Sequence, residues 1–313
     1  MERLTCDVPI PDHLRGGVVA LGNFDGFHRG HQAVVGAAVA HGRAHDKPVL
    51  VASFDPHPVR HFRPDAPPFR LTTLDQRARL FGEAGADAML VFRFDEVLAN
   101  VSPETFVTDY LIGRAGATHV VTGEDFTFGK GKAGNVAVLA DIGAKHGLTT
   151  QAIAPLSDAI GPVSSSRIRA ALQSGECEEA TRLLTRPYRI EGKVQHGDKL
   201  GRTIGFPTAN IAMGNYLRPR YGIYAIRARL DDGRVIDGAA NLGIRPTFDP
   251  PKELLEAYLF DFAESLYDRT VEIELISFLR PEAKFDSLDA LVAQMDADCI
   301  EAKARLAALP PIN

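Results

Sequence analysis

The spacing of apolar residues changes once along this 313-residue chain, and a change of that kind calls for two folds rather than one. In the first part, short apolar runs alternate with amphipathic stretches. Strands are predicted at residues 17–21, 48–54, 88–92, 119–122 and 149–154, with helices over 30–45, 74–84, 103–112 and 135–146 between them. Short strands separated by helices predict a doubly wound α/β domain, a parallel sheet covered on both faces. Two further helices, 165–173 and 176–184, are broken at Gly175. Beyond them the helices stop. Residues 189–194, 222–230, 235–241, 255–260 and 271–278 read as strands joined by turns such as Asp231-Asp232-Gly233. Strands in direct succession imply an antiparallel sheet or small barrel. A terminal helix follows, with Ser287 as its N-cap and Leu288, Leu291, Val292 and Met295 on one face. The boundary is set near Thr185–Pro187, giving domains 1–185 and 186–313.

Charge narrows the partners. Up to Thr185 there are 18 basic and 21 acidic residues, and after it 17 and 19, so neither part is a basic nucleic-acid module. Anionic substrates must then be held by local positive potential at helix N-termini and a few arginines. The cysteines, Cys6, Cys177 and Cys299, are odd in number and far apart, which disfavours a disulfide framework or zinc site and fits a reducing compartment. The N-terminal residues lack a charged-then-apolar signal pattern, and no apolar run reaches membrane-spanning length. A cytoplasmic protein acting on small molecules is expected, with no nucleic-acid or membrane partner; self-association into a homo-oligomer is left open.

Ligands of parallel α/β sheets bind beyond the carboxyl ends of the strands. Three polar clusters fall there: Gly22-Asn23-Phe24-Asp25, Asp55-Pro56-His57-Pro58 and Gly123-Glu124-Asp125. The first continues as Gly26-Phe27-His28-Arg29-Gly30-His31, running from a strand through a turn into a helix that begins near His31. Free N–H groups and the positive dipole end then face the turn, and His28 and His31 supply two imidazole donors for a phosphorus gathering charge. An isolated histidine is ordinarily a surface or satisfied core residue, and a metal site would need a third ligand that is not nearby. Placed between strand and helix, however, H-x-G-H resembles the signature of the nucleotidyltransferase superfamily that transfers a nucleoside monophosphate. Val163-Ser164-Ser165-Ser166-Arg167-Ile168-Arg169 resembles the same superfamily's I-S-S-T-x-x-R motif, with Val for Ile and Ser for Thr. A serine cluster opening a helix offers an N-cap, free N–H groups and two arginines to a triphosphate. The run Gly129-Lys130-Gly131-Lys132-Ala133-Gly134-Asn135 lacks the Gly-Lys-Ser/Thr ending of a P-loop and is read as a basic loop.

The densest stretch of the second part is Gly197-Asp198-Lys199-Leu200-Gly201-Arg202-Thr203-Ile204-Gly205-Phe206-Pro207-Thr208-Ala209-Asn210. Its glycines let a loop close over a ligand, and Thr208 and Asn210 share one face of a strand as oxygen ligands suited to a phosphate-bound Mg²⁺. The stretch resembles the signature of the riboflavin kinase domain, and Asn241-Leu242-Gly243-Ile244-Arg245-Pro246-Thr247-Phe248, Glu256 and Phe278-Leu279-Arg280 follow in the expected order. Residues 53–58 and 123–129 resemble segments of the FAD synthetase domain. Together these segments resemble the bifunctional bacterial riboflavin kinase/FAD synthetase family (RibF family) from about residue 17 to 305.

That resemblance implies a nucleotidyltransferase domain of parallel-sheet type followed by a six-stranded antiparallel β-barrel kinase domain. It implies ATP-dependent conversion of riboflavin to FMN and then of FMN to FAD, with Mg²⁺. Site residues carry over position by position. In the adenylyltransferase, His28 and His31 are catalytic; Gly22, Asn23, Phe24, Asp25, Gly26, Ser164, Ser165, Ser166, Arg167 and Arg169 bind ATP; Pro56, His57 and Asp125 meet the flavin. In the kinase, Glu256 is the general base; Gly197, Lys199, Gly201, Gly205, Pro207, Thr208 and Asn210 bind ATP, Thr208 and Asn210 also the metal; Arg280 meets the flavin. The pair Ala257-Tyr258 departs from many relatives, which have another residue and His there. Three other readings are open: a different small-molecule nucleotidyltransferase, a chain with only one working activity, and a non-enzymatic flavin-binding regulator.

Overall fold

The computed structural model describes residues 1–196, 205–245 and 252–309. Two compact units divide the chain, Met1–Pro67 with Thr72–Ser164, and Pro68–Leu71 with Ser165–Asn313.

In the first unit, β1 (Glu2–Thr5), β2 (Val18–Leu21), β3 (Val49–Asp55), β4 (Ala88–Arg93), β5 (His119–Gly123) and β6 (Thr149–Ile153) form one sheet in the order β1-β4-β3-β2-β5-β6. Every neighbouring pair is parallel. Alternate residues of β2 enter different cores: Val19 and Leu21 pack with Leu50, Phe106 and Leu139, whereas Val18 and Ala20 pack with Val35, Ala38 and Phe81. Helices α1 (Arg29–His45), α2 (Pro58–Phe62) and α3 (Leu74–Glu83) follow β2 and β3. The second core belongs to α1 and α3. The first is closed by α6 (Val136–Lys145) and a π-helical segment, Phe106–Arg114, which continues α5 (Pro103–Thr105) beyond α4 (Glu96–Ala99). With both faces covered, the strands are continuous apolar runs, as expected of a parallel sheet. The order reverses at β2, whose neighbours β3 and β5 lie on opposite sides, so a crevice opens beyond its carboxyl end.

Strand β1 was not expected. Its sequence, Glu-Arg-Leu-Thr, is polar and largely exposed, and it is held by backbone pairing to the edge of β4.

In the second unit, β7 (Tyr188–Gln195), β8 (Thr208–Ala212), β9 (Gly222–Leu230), β10 (Val235–Arg245), β11 (Lys252–Leu259) and β12 (Thr270–Arg280) close a six-stranded barrel in the order β10-β11-β8-β7-β12-β9. All of its pairs are antiparallel. Ile211, Leu255 and Leu242 stand side by side across three strands and are fully buried, which marks their face as the interior. Helices α7 (Ser165–Ser174) and α8 (Cys177–Leu184) belong to this unit, α8 packing on β12, where Ser277 Oγ donates to Glu178 Oε1 at 2.7 Å. The compact division thus falls at Ser164, earlier than the boundary read from the sequence.

Helix Leu288–Ala307 starts as expected, with Ser287 Oγ accepting from Ala290 N at 3.2 Å. The face read from the sequence is the one that docks, with its burial deepest in the C-terminal half of the helix. Leu288 is 55% exposed, Leu291, Val292 and Met295 are half-buried, and Asp298, Ala302 and Leu306 are buried, the last two meeting Ala225, Ala239 and Phe260. The small side chain of Ala302 lets the end of the helix approach the barrel, whereas Leu288 precedes that contact.

Candidate functional site

The turn after β2 reverses direction sharply, with Phe24 and Phe27 at φ of 50° and 47°. Non-glycine residues hold such angles only where their surroundings fix them. Here both rings are buried and stand edge-on to Phe81, with centroids 5.8 and 5.1 Å away. Asp25, 2% exposed, accepts from Thr72 N at 3.0 Å and Thr72 Oγ1 at 3.2 Å, and Gly26 N donates to the same hydroxyl at 2.9 Å. The Asp25 carboxylate therefore fixes the turn. Thr72 was not singled out by the sequence reading, and nothing in its local sequence marks it.

Helix α1 begins at Arg29 rather than near His31 because His28 itself is the N-cap: its Nδ1 accepts from His31 N at 3.4 Å. With Nδ1 an acceptor, the proton of the neutral ring resides on Nε2. The two imidazoles stack with centroids 3.6 Å apart, and His31 also meets the Phe24 ring edge-on at 5.3 Å. A Cβ at Gly30 would lie 3.2 Å from both Cε1 and Nδ1 of His28. The glycine of H-x-G-H thus lets the first imidazole fold back on the helix start. The carbonyl of Val163 lies 3.6 Å from the same point, so the segment before Ser164 arrives at this helix N-terminus.

Around β3 and β4, His57 caps α2, its Nδ1 accepting from Val59 N at 3.2 Å, and Pro56 and Asp125 are exposed. Phe62, at the end of α2, is 66% exposed and leans on Phe94 with centroids 5.8 Å apart. The sequence reading missed this aromatic surface, although Phe62 and Phe94 each lie just beyond an expected strand or motif.

In the second unit, Ser165 and Ser166 open α7, and its arginines are engaged. Arg167 Nη2 bonds Glu179 Oε1 at 2.6 Å, and Arg169 Nε donates to the Phe69 carbonyl at 2.8 Å. Bonds from Arg182 and then Arg167 hold the Glu179 carboxyl below its ordinary range.

Across the barrel, Asn210 on β8 is the register partner of Glu256 on β11, which faces Asn241 on β10. Register partners share a face, so these three polar side chains form a row on the outside of the barrel, with Thr208 and Tyr258 paired in the next row. Asn210 is 8% exposed, and Asn241 Oδ1 is buried without a hydrogen-bond partner among the described residues. Asn241 Nδ2 donates to Glu282 Oε1 at 3.3 Å, and this carboxylate fits because Gly243 has no Cβ: one would stand 2.1 Å from Oε1. Close by in sequence to Glu256, Glu253 accepts from Tyr221 Oη and, at 2.7 Å, from Arg218 Nε. Arg218 holds Glu253 below its ordinary range; burial, and then Glu253, push Tyr221 up to about 12.

Gly205 and Pro207 lead exposed into β8. Gly197, Lys199 and Gly201 lie outside the described residues, as does the 246–248 end of the Asn241 motif. Arg280 is bound to the terminal helix by two bonds to Asp298, 2.8 and 2.7 Å. Among the described residues no cluster of three His, Cys, Asp or Glu side chains is arranged to hold a metal, and no helix is long and apolar enough to cross a membrane. The three cysteines are free thiols.

Comparison with known proteins places both sites in context. The FAD synthetase family model matches residues 10–167 and the riboflavin kinase family model residues 184–306. The bifunctional riboflavin kinase/FMN adenylyltransferase of Escherichia coli K12 is 37% identical over 92% of this chain and 92% of its own. That of Bacillus subtilis is 38% identical over 95% of this chain and 96% of its own. A solved structure from Streptococcus pneumoniae, titled as a macrolide-efflux protein, is similar throughout, with a TM-score of 0.83, 30% identity and coverage of 95% and 97%.

Proposed function

The chain belongs to the bifunctional riboflavin kinase/FAD synthetase family, and we infer from that membership how its two constellations divide the work. The enzyme phosphorylates riboflavin to FMN with ATP, then adenylylates FMN with a second ATP to give FAD and pyrophosphate. Residues 1–185 would serve the adenylyl transfer and 186–313 the kinase. The observation that carries the first assignment is the stacked His28–His31 pair at the N-terminus of α1, beyond the carboxyl end of β2.

In the kinase reaction the riboflavin 5′-hydroxyl oxygen bonds to the γ-phosphorus of ATP as the bond to the bridging oxygen breaks, releasing ADP. Glu256 takes the hydroxyl proton, because a loose phosphoryl-transfer transition state chiefly needs alignment, charge neutralisation and a proton acceptor. Thr208 and Asn210 fit a hard divalent cation: both present neutral oxygens on the face shared with Glu256, and Asn241 adds a buried carbonyl oxygen without a partner. Bound there, Mg²⁺ would neutralise charge on the phosphates. Gly205 and Pro207, with Gly197, Lys199 and Gly201, would hold the nucleotide.

In the adenylyl transfer an FMN phosphate oxygen attacks the α-phosphorus of ATP and pyrophosphate leaves. The phosphate is already anionic at neutral pH, so no base is required. His28 and His31 donate to the phosphate oxygens as charge builds, alongside the N–H groups that open α1. Gly22, Asn23, Ser164, Ser165, Ser166 and Arg169 would hold the nucleotide, and Arg167 would contribute by exchanging its bond to Glu179. Phe24, Asp25 and Gly26 give the turn its shape. Pro56, His57 and Asp125, with the exposed Phe62 ring, offer an apolar platform with polar edges to an isoalloxazine. In the kinase, Arg280 would serve the flavin through its anchoring of the terminal helix. The buried free thiols Cys6 and Cys177 support a cytoplasmic location.

Incubation with riboflavin, ATP and Mg²⁺, followed by separation of the flavins, tests the assignment. FMN followed by FAD is expected. FMN alone overturns the adenylyl-transfer site, and no turnover favours a flavin-binding regulator.

A further inference from the structure

We propose that Arg77 is a positioning residue of the adenylyl-transfer site, fixing the backbone of the turn that carries Asn23 and leads to His28. The inference rests on the adenylyltransferase reading and adds a residue outside both motifs. Arg77 lies on α3 and is 1% exposed, the bulkiest of the fully buried side chains. A guanidinium in such a place is costly unless its donors are matched. Its Nη1 donates to the Asn23 carbonyl at 3.0 Å and to Ser53 Oγ at 2.6 Å, and Ser53 Oγ donates to the same carbonyl at 2.9 Å. One carbonyl oxygen at the head of the turn therefore receives two donors, one from α3 and one from β3.

The next residue is Phe24, whose left-handed φ of 50° needs support from outside the turn. Phe24 in turn packs edge-on against His31, with centroids 5.3 Å apart. A continuous path thus runs from the Arg77 guanidinium through the Asn23 carbonyl and the Phe24 ring to one of the two imidazoles. The Asn23 side chain gives a second reason to connect this support with a ligand. Its Oδ1 is buried without a hydrogen-bond partner among the described residues, and a buried acceptor of that kind awaits a donor. A nucleoside hydroxyl or amino group is such a donor, and Arg77 holds the backbone on which that acceptor is mounted.

The test uses the full chain with Arg77→Met and Arg77→Lys, measuring FAD formation from FMN and ATP, and riboflavin phosphorylation as the internal control. Misplacing reacting groups by about an ångström costs about 100-fold. Arg77→Met is therefore expected to lower kcat for FAD formation by about that factor, with KM for FMN and the kinase rate within about twofold. Arg77→Lys, which restores one donor, is expected to recover about tenfold of the loss. FAD formation in Arg77→Met within about twofold of wild type overturns the inference. Equal loss of both activities, or a loss that tracks thermal stability without rescue by Lys, assigns Arg77 a purely structural role and also overturns it. A wild-type chain that makes no FAD overturns the adenylyltransferase reading and this inference with it.

Discussion

The two sites are assembled in opposite ways. The two imidazoles proposed for adenylyl transfer lie on a short contiguous stretch after β2, whereas Asn210, Glu256 and Asn241 come from three strands and meet only through barrel register. In the first site the start of one helix carries both imidazoles, and their placement depends on what holds the turn: Thr72 beneath Asp25, and the glycine beneath the His28 ring. In the second site a slip of one residue would turn the whole polar row into the barrel interior. A contiguous site should respond to changes in its support by degrees. A register-built site should depend sharply on the chemistry of each member.

The largest effect should come from Glu256→Gln. Removing a positioned base costs about 10²–10⁴-fold, so the rate of FMN formation should fall by about 10³-fold while added FMN is still converted to FAD. A kinase rate near that of wild type would remove Glu256 from its role. His28→Ala should produce the mirror image, with FAD formation falling by about 10²–10³-fold as a transition-state donor is lost, and FMN still accumulating. Loss of both products in either variant would break the separation of the two sites. Gly30→Ala probes the support rather than the chemistry. Its methyl group would press on the His28 ring at 3.2 Å, a displacement of tenths of an ångström that should cost about tenfold in FAD formation. An unchanged rate would mean that the ring has room to move.

The contrast also explains what could be read from the sequence. Strand–turn–helix contiguity made His28, Gly30 and His31 visible together. Alternation along one strand put Thr208 and Asn210 on one face, but joining Glu256 to them needed the family resemblance, because nothing in spacing alone says which strands become neighbours. The supports were hidden for another reason. Thr72 and Arg77 act through hydrogen bonds to a loop about fifty residues earlier in the sequence, and an arginine in an amphipathic helix reads as a solvated one. Strand β1 escaped notice because its register with β4 rests on backbone bonds rather than an apolar pattern. On the terminal helix the face was legible from Leu288, Leu291 and Met295, but its deepest contact was not, because Ala302, a small residue, carries less apolar signal than Leu288.

The smallest predicted effect separates the two units by acid. His119 at the start of β5 is 7% exposed, stacks on His41 with centroids 3.7 Å apart, and has its Nδ1 2.7 Å from Thr149 Oγ1. Burial first, and then His41, lower its pKa to about 4. The unfolded chain takes up this proton near pH 6.5, whereas the folded protein resists until about pH 4. Stability is therefore complete above pH 6.5 and is lost as pH falls towards 4. Between pH 7 and 5.5 the loss should be about 1 kcal/mol. In the barrel, Glu253 has linkage of the same sign but in a lower window: held low by Arg218, it contributes stability above its ordinary carboxylate range and loses it only as pH falls through its lowered pKa. In the upper window the parallel-sheet unit should therefore weaken while this carboxylate leaves the barrel unchanged. Urea unfolding followed by amide exchange in β5 and β10 peptides, corrected for intrinsic exchange, would resolve the two. His119→Gln should remove the acid shift of β5, and a wild-type β5 midpoint that does not move between pH 7 and 5.5 would show that the buried imidazole is not the source of acid sensitivity.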